Sequence, residues 1–180
     1  SRVTSITADS SLPSASILKA MIIVSLFAAW TARDTGSFVD RSLFDLQWER
    51  RVGRALSYAG QFTRAGDDYR PELGFMPRRN FTTANVASNY YFFTDKNKFF
   101  RRVYPGALAF TTWRNTDNEI ESGQYAFGVQ WDTKAGGGGW VQPKLFRESV
   151  ITPFKIGGSV NIPRGTYDFA DLQLVYRMPS

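Results

Sequence analysis

The chain has 180 residues, of which 43% are hydrophobic and 16% aromatic, and it carries a formal net charge of +6. This length fits one domain, and the absence of histidine and cysteine excludes Ser-His triads, zinc hydrolases, disulfides and thiolate chemistry. The basic residues are scattered or paired at turns, without a recognition helix or an RNP-type aromatic motif, so nucleic acid is not an expected partner.

The N-terminal part divides into two segments. Residues 1–16 contain a short possible strand, residues 2–7, and a loop rich in Ser and Pro. Residues 17–33 are the most apolar run, but their dense core is shorter than the roughly 18 residues that a spanning helix needs. A signal peptide competes, since Lys19 precedes an apolar run that ends in small residues. We interpret this run as a strand that ends at the turn formed by residues 34–37.

From residue 17 to the C-terminus, apolar and polar side chains alternate between short turns. Leu56 and Phe62 fall on one side of a strand and Gln61 on the other, and Phe127 and Gln124 are separated in the same way. The remaining segments with strand character are residues 38–49, 54–65, 80–93, 100–115, 119–132, 140–151, 154–162 and 169–177. Together with residues 17–33 they predict about nine strands.

The predicted strands are long, and their connections alternate in length. Tilted strands of about ten residues cross a bilayer, and alternation of apolar and polar residues is typical of membrane barrels. Short turns at residues 51–53, 95–97 and 116–118 contrast with longer loops at residues 66–79 and 133–139. The sequence therefore predicts an all-β fold over residues 17–180, an antiparallel up-and-down meander that forms a transmembrane β-barrel or a segment of one.

Aromatic residues near the predicted strand ends support the membrane interpretation. Rings of Trp and Tyr at the two bilayer interfaces would explain them, although the same residues also suit the core of a soluble sandwich. They are Trp48, Tyr58, Tyr90, Tyr91, Phe92, Trp113, Trp131, Trp140 and Tyr176.

Two motifs resemble a bacterial protein family. The first is Asp-Asp-Tyr-Arg-Pro-Glu-Leu-Gly-Phe-Met-Pro-Arg-Arg at residues 67–79, and the second combines Pro-Phe at 153–154 with Val-Asn-Ile-Pro-Arg-Gly-Thr-Tyr-Asp-Phe at 160–169. Both are similar to the barrel region of the domain-of-unknown-function 5916 family, and the similarity runs from about Ile22 to the C-terminus. Members of that family commonly carry a family 9-like carbohydrate-binding module ahead of an outer-membrane-type barrel.

This resemblance implies an outer-membrane protein with a structural or transport-related role and a link to carbohydrate handling. The chain lacks the carbohydrate-binding module, and its C-terminus does not end on the aromatic residue typical of complete barrels. We therefore expect a fragment of a larger barrel whose open edges are covered by missing strands or a partner chain. A complete eight-stranded barrel is the alternative at this length.

The loop at residues 66–79 is the best candidate for a binding surface. Its carboxylates and guanidinium groups beside aromatic rings suit sugar hydroxyls or an anionic ligand. Alternatively, they pin the loop into the barrel through internal ion pairs. The candidate residues are Asp67, Asp68, Tyr69, Arg70, Glu72, Arg78 and Arg79.

A second set of polar residues falls on the face predicted to line the lumen. Because an unpaired buried charge costs several kcal/mol, their mixed signs predict a self-neutralised, plugged interior. They are Arg41, Asp45, Gln47, Glu49, Gln61, Gln124, Gln130 and Asp132.

The sequence gives little support to enzyme function. Glu119 and Glu121 would project to one side of a strand, as a glycosidase pair requires, but any sheet offers such pairs by chance. The glycine run at residues 136–139 lacks the features of a phosphate loop and predicts a flexible turn. We expect a non-enzymatic protein without metal or cofactor.

The alternative function is that of a soluble antiparallel barrel or sandwich that binds an apolar or carbohydrate ligand. The two hypotheses differ in where the apolar side chains point. Packing of Leu56 and Phe127 at a centre, with Gln61 and Gln124 in solvent, would exclude the bilayer assignment and leave the soluble module.

Overall fold

The structure, a computed structural model, describes residues 4–7, 21–31, 37–51, 54–70 and 78–179. Among them, no helix has the length and hydropathy to cross a membrane. The strands are β1 (Thr4–Thr7), β2 (Met21–Trp30), β3 (Ser42–Arg51), β4 (Ala55–Ala65), β5 (Phe81–Phe93), β6 (Phe100–Arg114), β7 (Ile120–Thr133), β8 (Gly138–Val150), β9 (Phe154–Ile156), β10 (Val160–Ile162) and β11 (Gly165–Arg177).

Nine of these strands form one antiparallel sheet in the order β1-β2-β3-β4-β5-β6-β7-β8-β11, while β9 and β10 form a separate two-stranded hairpin. Each strand of the large sheet pairs with its neighbour in chain order, apart from the excursion through the hairpin. This confirms the predicted all-β up-and-down meander. The sheet is open within the described residues, with β1 and β11 at its edges, as in a segment of a barrel.

The strands differ from the prediction mainly at the two ends of the meander. A single strand over residues 154–162 is wrong, because Gly157 and Gly158 adopt φ angles of 58° and 78° and reverse the chain between β9 and β10. The last strand begins at Gly165 rather than at residue 169. Residues 38–40 form a turn, so β3 begins at Ser42. The predicted turn at residues 34–37 lies outside the described residues except for Ser37.

The connections from β2 to β11 differ in length between the two ends of the strands, apart from the short connection at residues 115–119, which lies at the end of the longer ones. One end, the short-turn rim, carries residues 52–54, 94–99 and 134–137. The other end, the long-loop rim, carries residues 31–41, 66–80, 115–119 and 151–164. The predicted long loop at residues 133–139 is wrong, because Gly138 and Gly139 already belong to β8.

The two faces of the sheet have opposite character. The apolar face carries Leu46, Phe62, Val86, Phe127 and Leu145, together with the side chains that lie level with them on the neighbouring strands. The polar face carries the residues that alternate with these along each strand. On the apolar face Phe127 is 62% exposed and Leu145 61%. Gln61 and Gln124, on the polar face, are half-buried. The strands contact chiefly their neighbours in the ladder, so this burial indicates that the single layer curves toward its polar face.

Tryptophan rings cover glycines on the apolar face. Trp48 lies directly opposite Gly60, where an added Cβ would be 2.1 Å from the indole. Trp131 lies opposite Gly139 in the same relation, at 2.7 Å. A glycine in a strand leaves a gap in the side-chain layer, and an aromatic ring across the ladder fills it. These pairs explain why Gly139 belongs to a strand instead of a flexible turn.

Most of the aromatic residues predicted to ring the strand ends lie on the apolar face. Tyr90, Phe92, Trp131 and Tyr176 are there, toward the short-turn rim. Tyr91 and Trp140 differ, because their register places them on the polar face. The aromatic residues near that rim are therefore divided between the two faces.

Candidate functional site

Asp45 is the centre of a hydrogen-bonded cluster on the polar face. Thr63, directly opposite on β4, donates to Asp45 Oδ2 at 2.6 Å, and Gln61 Nε2 donates to the same oxygen at 2.7 Å. Gln47 Nε2 donates to Asp45 Oδ1 at 2.8 Å. Hydrogen bonds to a charged acceptor are about twice as strong as neutral ones. The carboxylate is therefore stabilised by three donors and holds both carboxamides in fixed orientations.

Four carboxamides, those of Gln47, Gln61, Asn85 and Gln124, lie in one row across the sheet. Ser25 precedes Gln47 in this row, and Phe110 lies between Asn85 and Gln124. Ser25, Gln47, Glu49, Gln61 and Asn85 line a cleft in the polar face. Because Gln47 and Gln61 use their amide nitrogens on Asp45, their carbonyl oxygens remain as acceptors. Asn85 Oδ1 is buried without a hydrogen-bond partner. This end of the polar face is rich in oxygen acceptors and suits a ligand that donates hydrogen bonds.

A second cleft adjoins the first at Ala87, which lines both. Its floor contains the cross-strand pair Gly106 and Gly128. Asn89 lies against Gly106, with Oδ1 2.2 Å from the position of an added Cβ, and Gln142 lies against Gly128. Small residues at the floor and amides at the sides produce a shallow trough with hydrogen-bonding walls.

The short-turn rim of the polar face carries a paired cationic and aromatic cluster. The rings of Tyr91 and Tyr104 stack with centroids 5.0 Å apart, and the Arg102 guanidinium lies 5.7 Å and 5.2 Å from them. Arg102 forms a salt bridge with Asp132, and Arg177 Nη2 lies 4.0 Å from Asp132 Oδ1. Two cations thus share one carboxylate in this cluster.

Seven of the eight residues predicted to line the lumen share the polar face: Asp45, Gln47, Glu49, Gln61, Gln124, Gln130 and Asp132. Gln47 is the most open of them, and Glu49 pairs with Arg51 at 2.6 Å. Arg41 differs, because it lies half-buried in the turn before β3. Whether this face lines a lumen stays a prediction.

The described part of the candidate loop folds back on the long-loop rim. Tyr69 is buried with Ala29, Leu43 and Ala65 in a hydrophobic cluster. This burial raises the pKa of the Tyr69 phenol above its ordinary value. Arg70 accepts and donates through its backbone, since Thr31 Oγ1 donates to Arg70 O and accepts from Arg70 N, both at 3.0 Å.

The charged residues of this loop do not converge on one point. Arg70 Nη1 donates to the backbone oxygen of Asp67 at 2.8 Å, and Asp68 is held through its amide, which donates to Asp40 O at 2.9 Å. Arg78 lies 3.5 Å from Glu121, and Arg79 is exposed. Glu72 lies outside the described residues. This arrangement favours the pinning role over a ligand site, with backbone hydrogen bonds and Tyr69 as the principal attachments.

The predicted carboxylate pair on one strand is wrong. Glu119 precedes β7, and its amide donates to Asp117 Oδ1 at 3.0 Å. Glu121 sits at a register shift between β6 and β7, where Thr112 pairs with Ser122 but Trp113 pairs with Ile120. An extra residue at such a bulge interrupts the regular alternation, and Glu119 lies outside the strand on which the pair was expected.

Several polar-face residues were missed by the sequence prediction. Asn85, Asn89 and Gln142 line the two clefts, and Tyr104 stacks on Tyr91, which was expected in an interfacial aromatic ring. The alternation of β5 was the available signal, because Asn85 and Asn89 are four residues apart and therefore share a face. The stack across β5 and β6 depends on the register of the two strands, which no local pattern specifies.

Comparison of the chain with protein-family models, with curated proteins and with solved structures finds no match. The resemblance to the domain-of-unknown-function 5916 family therefore stays a prediction from the two sequence motifs.

Proposed function

We propose that this chain forms part of the wall of a β-barrel in the outer membrane of a Gram-negative bacterium, with a structural or transport-related role. The exposed apolar face carries this proposal. Large hydrophobic side chains protrude from it on β2, β3, β4, β5, β7, β8 and β11, examples being Leu26, Val86, Phe127 and Leu174. Soluble proteins rarely expose contiguous apolar patches of more than a few hundred Å², whereas lipid-facing barrel walls are made of them.

Strand length and rim asymmetry support the same proposal. Strands β5, β8 and β11 have 13 residues each and β6 has 15. At about 3.3 Å per residue and a tilt of about 40°, a strand of this length spans roughly 30 Å, which matches the hydrocarbon core. Barrels of the outer membrane also have short turns on one side and longer loops on the other.

The soluble barrel or sandwich requires the apolar side chains to pack inward. In the described residues the polar side chains are the more buried set instead, and Leu56 is 40% exposed and Phe127 62%. This distribution counts against the soluble alternative.

A pair of single-cysteine variants tests the membrane assignment. Phe127→Cys and Gln124→Cys lie three residues apart on β7 and on opposite faces, and the chain has no other cysteine. Each variant is labelled with an environment-sensitive fluorophore and reconstituted with lipids that carry a quencher on the acyl chain. We expect quenching at Phe127→Cys and little at Gln124→Cys. Quenching at neither position would exclude membrane insertion.

We extend the proposal to carbohydrate handling on the basis of the family resemblance. The acceptor-rich cleft around Gln47, Gln61 and Asn85 provides suitable chemistry, because sugar hydroxyls donate hydrogen bonds. Titration of the reconstituted protein with maltohexaose and chitohexaose, followed by tryptophan fluorescence, tests this part. A saturable change that Asn85→Leu abolishes is expected. No change with either sugar would remove the carbohydrate link and leave the barrel proposal intact.

A further inference from the structure

The outer edge of β11 is long, regular and uncovered by any described residue. All 13 residues of this strand pair with β8 without a register shift. Its other edge has no strand partner in the sheet order. Leu172, Leu174 and Tyr176 are 58%, 64% and 57% exposed.

A free edge of this kind is unusual because unpaired backbone groups act as a template for another strand. Natural proteins blunt such edges with proline, lysine, bulges or very short strands. The β11 sequence contains neither Pro nor Lys, and its ladder has no bulge. Of its three charged residues, Asp168 and Arg177 form ion pairs within the sheet, which leaves Asp171 as the strand's single unpaired charge among the described residues. In hydrocarbon each unpaired backbone group costs several kcal/mol. The opposite edge, β1, has only four residues. We conclude that β11 is suited to pairing and not to solvent exposure.

The direction of β11 restricts its partner. β11 runs from the long-loop rim, where Gly165 is opposite Val150, to the short-turn rim, where Arg177 is opposite Gly138. β1 runs the same way, with Thr4 opposite Ala28 and Thr7 opposite Ser25. Pairing of β11 with β1, in the same chain or in a second copy, would therefore be parallel. Pairing of β11 with β11 of a second copy would be antiparallel but would put the long loops on opposite sides of the membrane.

We propose that the β11 edge binds a transmembrane strand of a different sequence, antiparallel to β11 and running from the short-turn rim to the long-loop rim. This inference rests on the proposed function. The partner strand carries apolar residues beside Leu172 and Leu174 on the apolar face, and polar or cationic residues beside Asp171 on the polar face. An all-antiparallel wall that contains these nine strands then needs an odd number of further strands to close, since closed barrels of this kind have an even total.

Amide hydrogen exchange of the protein in its native membrane tests whether the edge is paired. In a paired edge, all β11 amides exchange as slowly as those of the interior strand β4. Their exchange rates are then about two orders of magnitude lower than in an unstructured chain. In a free edge, every second β11 amide points away from β8 and exchanges rapidly. Rapid exchange of half the β11 amides, with β4 protected, would overturn the proposal.

A spin label at Gln173→Cys, near the middle of β11, separates the proposed partner from a second copy. Pairing of two β11 strands would place two labels within about 20 Å, since adjacent strands lie about 5 Å apart. We expect no such distance between copies, and its detection would overturn the proposal. The Phe127→Cys label reports membrane insertion independently. If the Phe127→Cys label is quenched by lipid but β11 is unpaired, this inference is refuted and the proposed membrane insertion is not.

Discussion

The polar cluster around Asp45 shows how a charged residue is accommodated within the sheet. Its two carboxylate oxygens accept from Thr63, Gln61 and Gln47 at distances between 2.6 and 2.8 Å. Each donor comes from the same strand or the adjacent one, so the cluster depends on the β3–β4 register. Asp45 is therefore a positioning residue for the carboxamides that line the first cleft.

Substitution of Asp45 by Asn tests this role. The substitution removes the negative charge and replaces one accepting oxygen by an amide nitrogen that faces other donors, so we expect a loss of about 1–3 kcal/mol in the free energy of unfolding. Urea titration of the reconstituted protein measures it. Asp67→Asn is the matched control, because Asp67 lies exposed in the loop after β4, where among the described residues only its backbone oxygen accepts a hydrogen bond, and should change stability by less than about 0.5 kcal/mol. Equal effects of the two substitutions would contradict the role of Asp45.

The contact between Trp48 and Gly60 makes a second prediction. A Cβ at position 60 would lie 2.1 Å from the indole, so Gly60→Ala must displace the ring and should cost about 1–3 kcal/mol. Gly165→Ala is the control, since its nearest atom would be 3.7 Å away. In the Trp48→Ala background the cost of Gly60→Ala should largely disappear, as a double-mutant cycle would show. An unchanged cost would mean that the indole is not the obstacle.

At the scale of elements, alternation predicted which face each side chain occupies better than it predicted where strands end. The face depends on a period of two, which every residue of a strand repeats. Strand ends depend on single residues, such as the glycines that reverse the chain between β9 and β10. The bulge at Glu121 was unpredictable because it depends on the register of β6 against β7. The clefts likewise require residues from several strands and have no local signature.

The loop after β4 gives a prediction about pH. Burial raises the pKa of Tyr69 above its ordinary value of 10.0. The docking of Tyr69 is therefore fully stabilising below pH 10 and is lost as the pH rises through the higher folded-state pKa. We expect cleavage within residues 66–80 by subtilisin to accelerate in this alkaline range. Tyr69→Phe keeps the ring without the phenol and should remove the acceleration. The same acceleration in Tyr69→Phe would assign it to another group.

At the scale of the whole molecule, the sheet is a single layer with unequal rims and two chemically different faces. The β9–β10 hairpin is a separate sheet on the long-loop rim and is largely exposed. Its position indicates that β8 and β11 pair independently of it.

Replacing residues 153–163 with a short Gly-Ser turn tests that independence. We expect the free energy of unfolding to change by less than about 1 kcal/mol, because loop length alone contributes little. The comparable control is the connection 115–119. There Asn115 Nδ2 donates to Ala65 O, and Arg114 pairs with Asp117, so replacement should destabilise the sheet. A large loss from the hairpin replacement would show that β9 and β10 support the β8–β11 pairing.

The facing glycines at positions 106 and 128 have a consequence for the shape of the barrel proposed above. Gly106 and Gly128 pair across β6 and β7, so neither strand has a side chain on the polar face at this level. The sheet can therefore bend more sharply there than elsewhere. A barrel that bends sharply between two adjacent strands has an elliptical cross-section instead of a circular one. The narrow diameter of that ellipse, more than the number of strands, then determines the largest solute that fits inside.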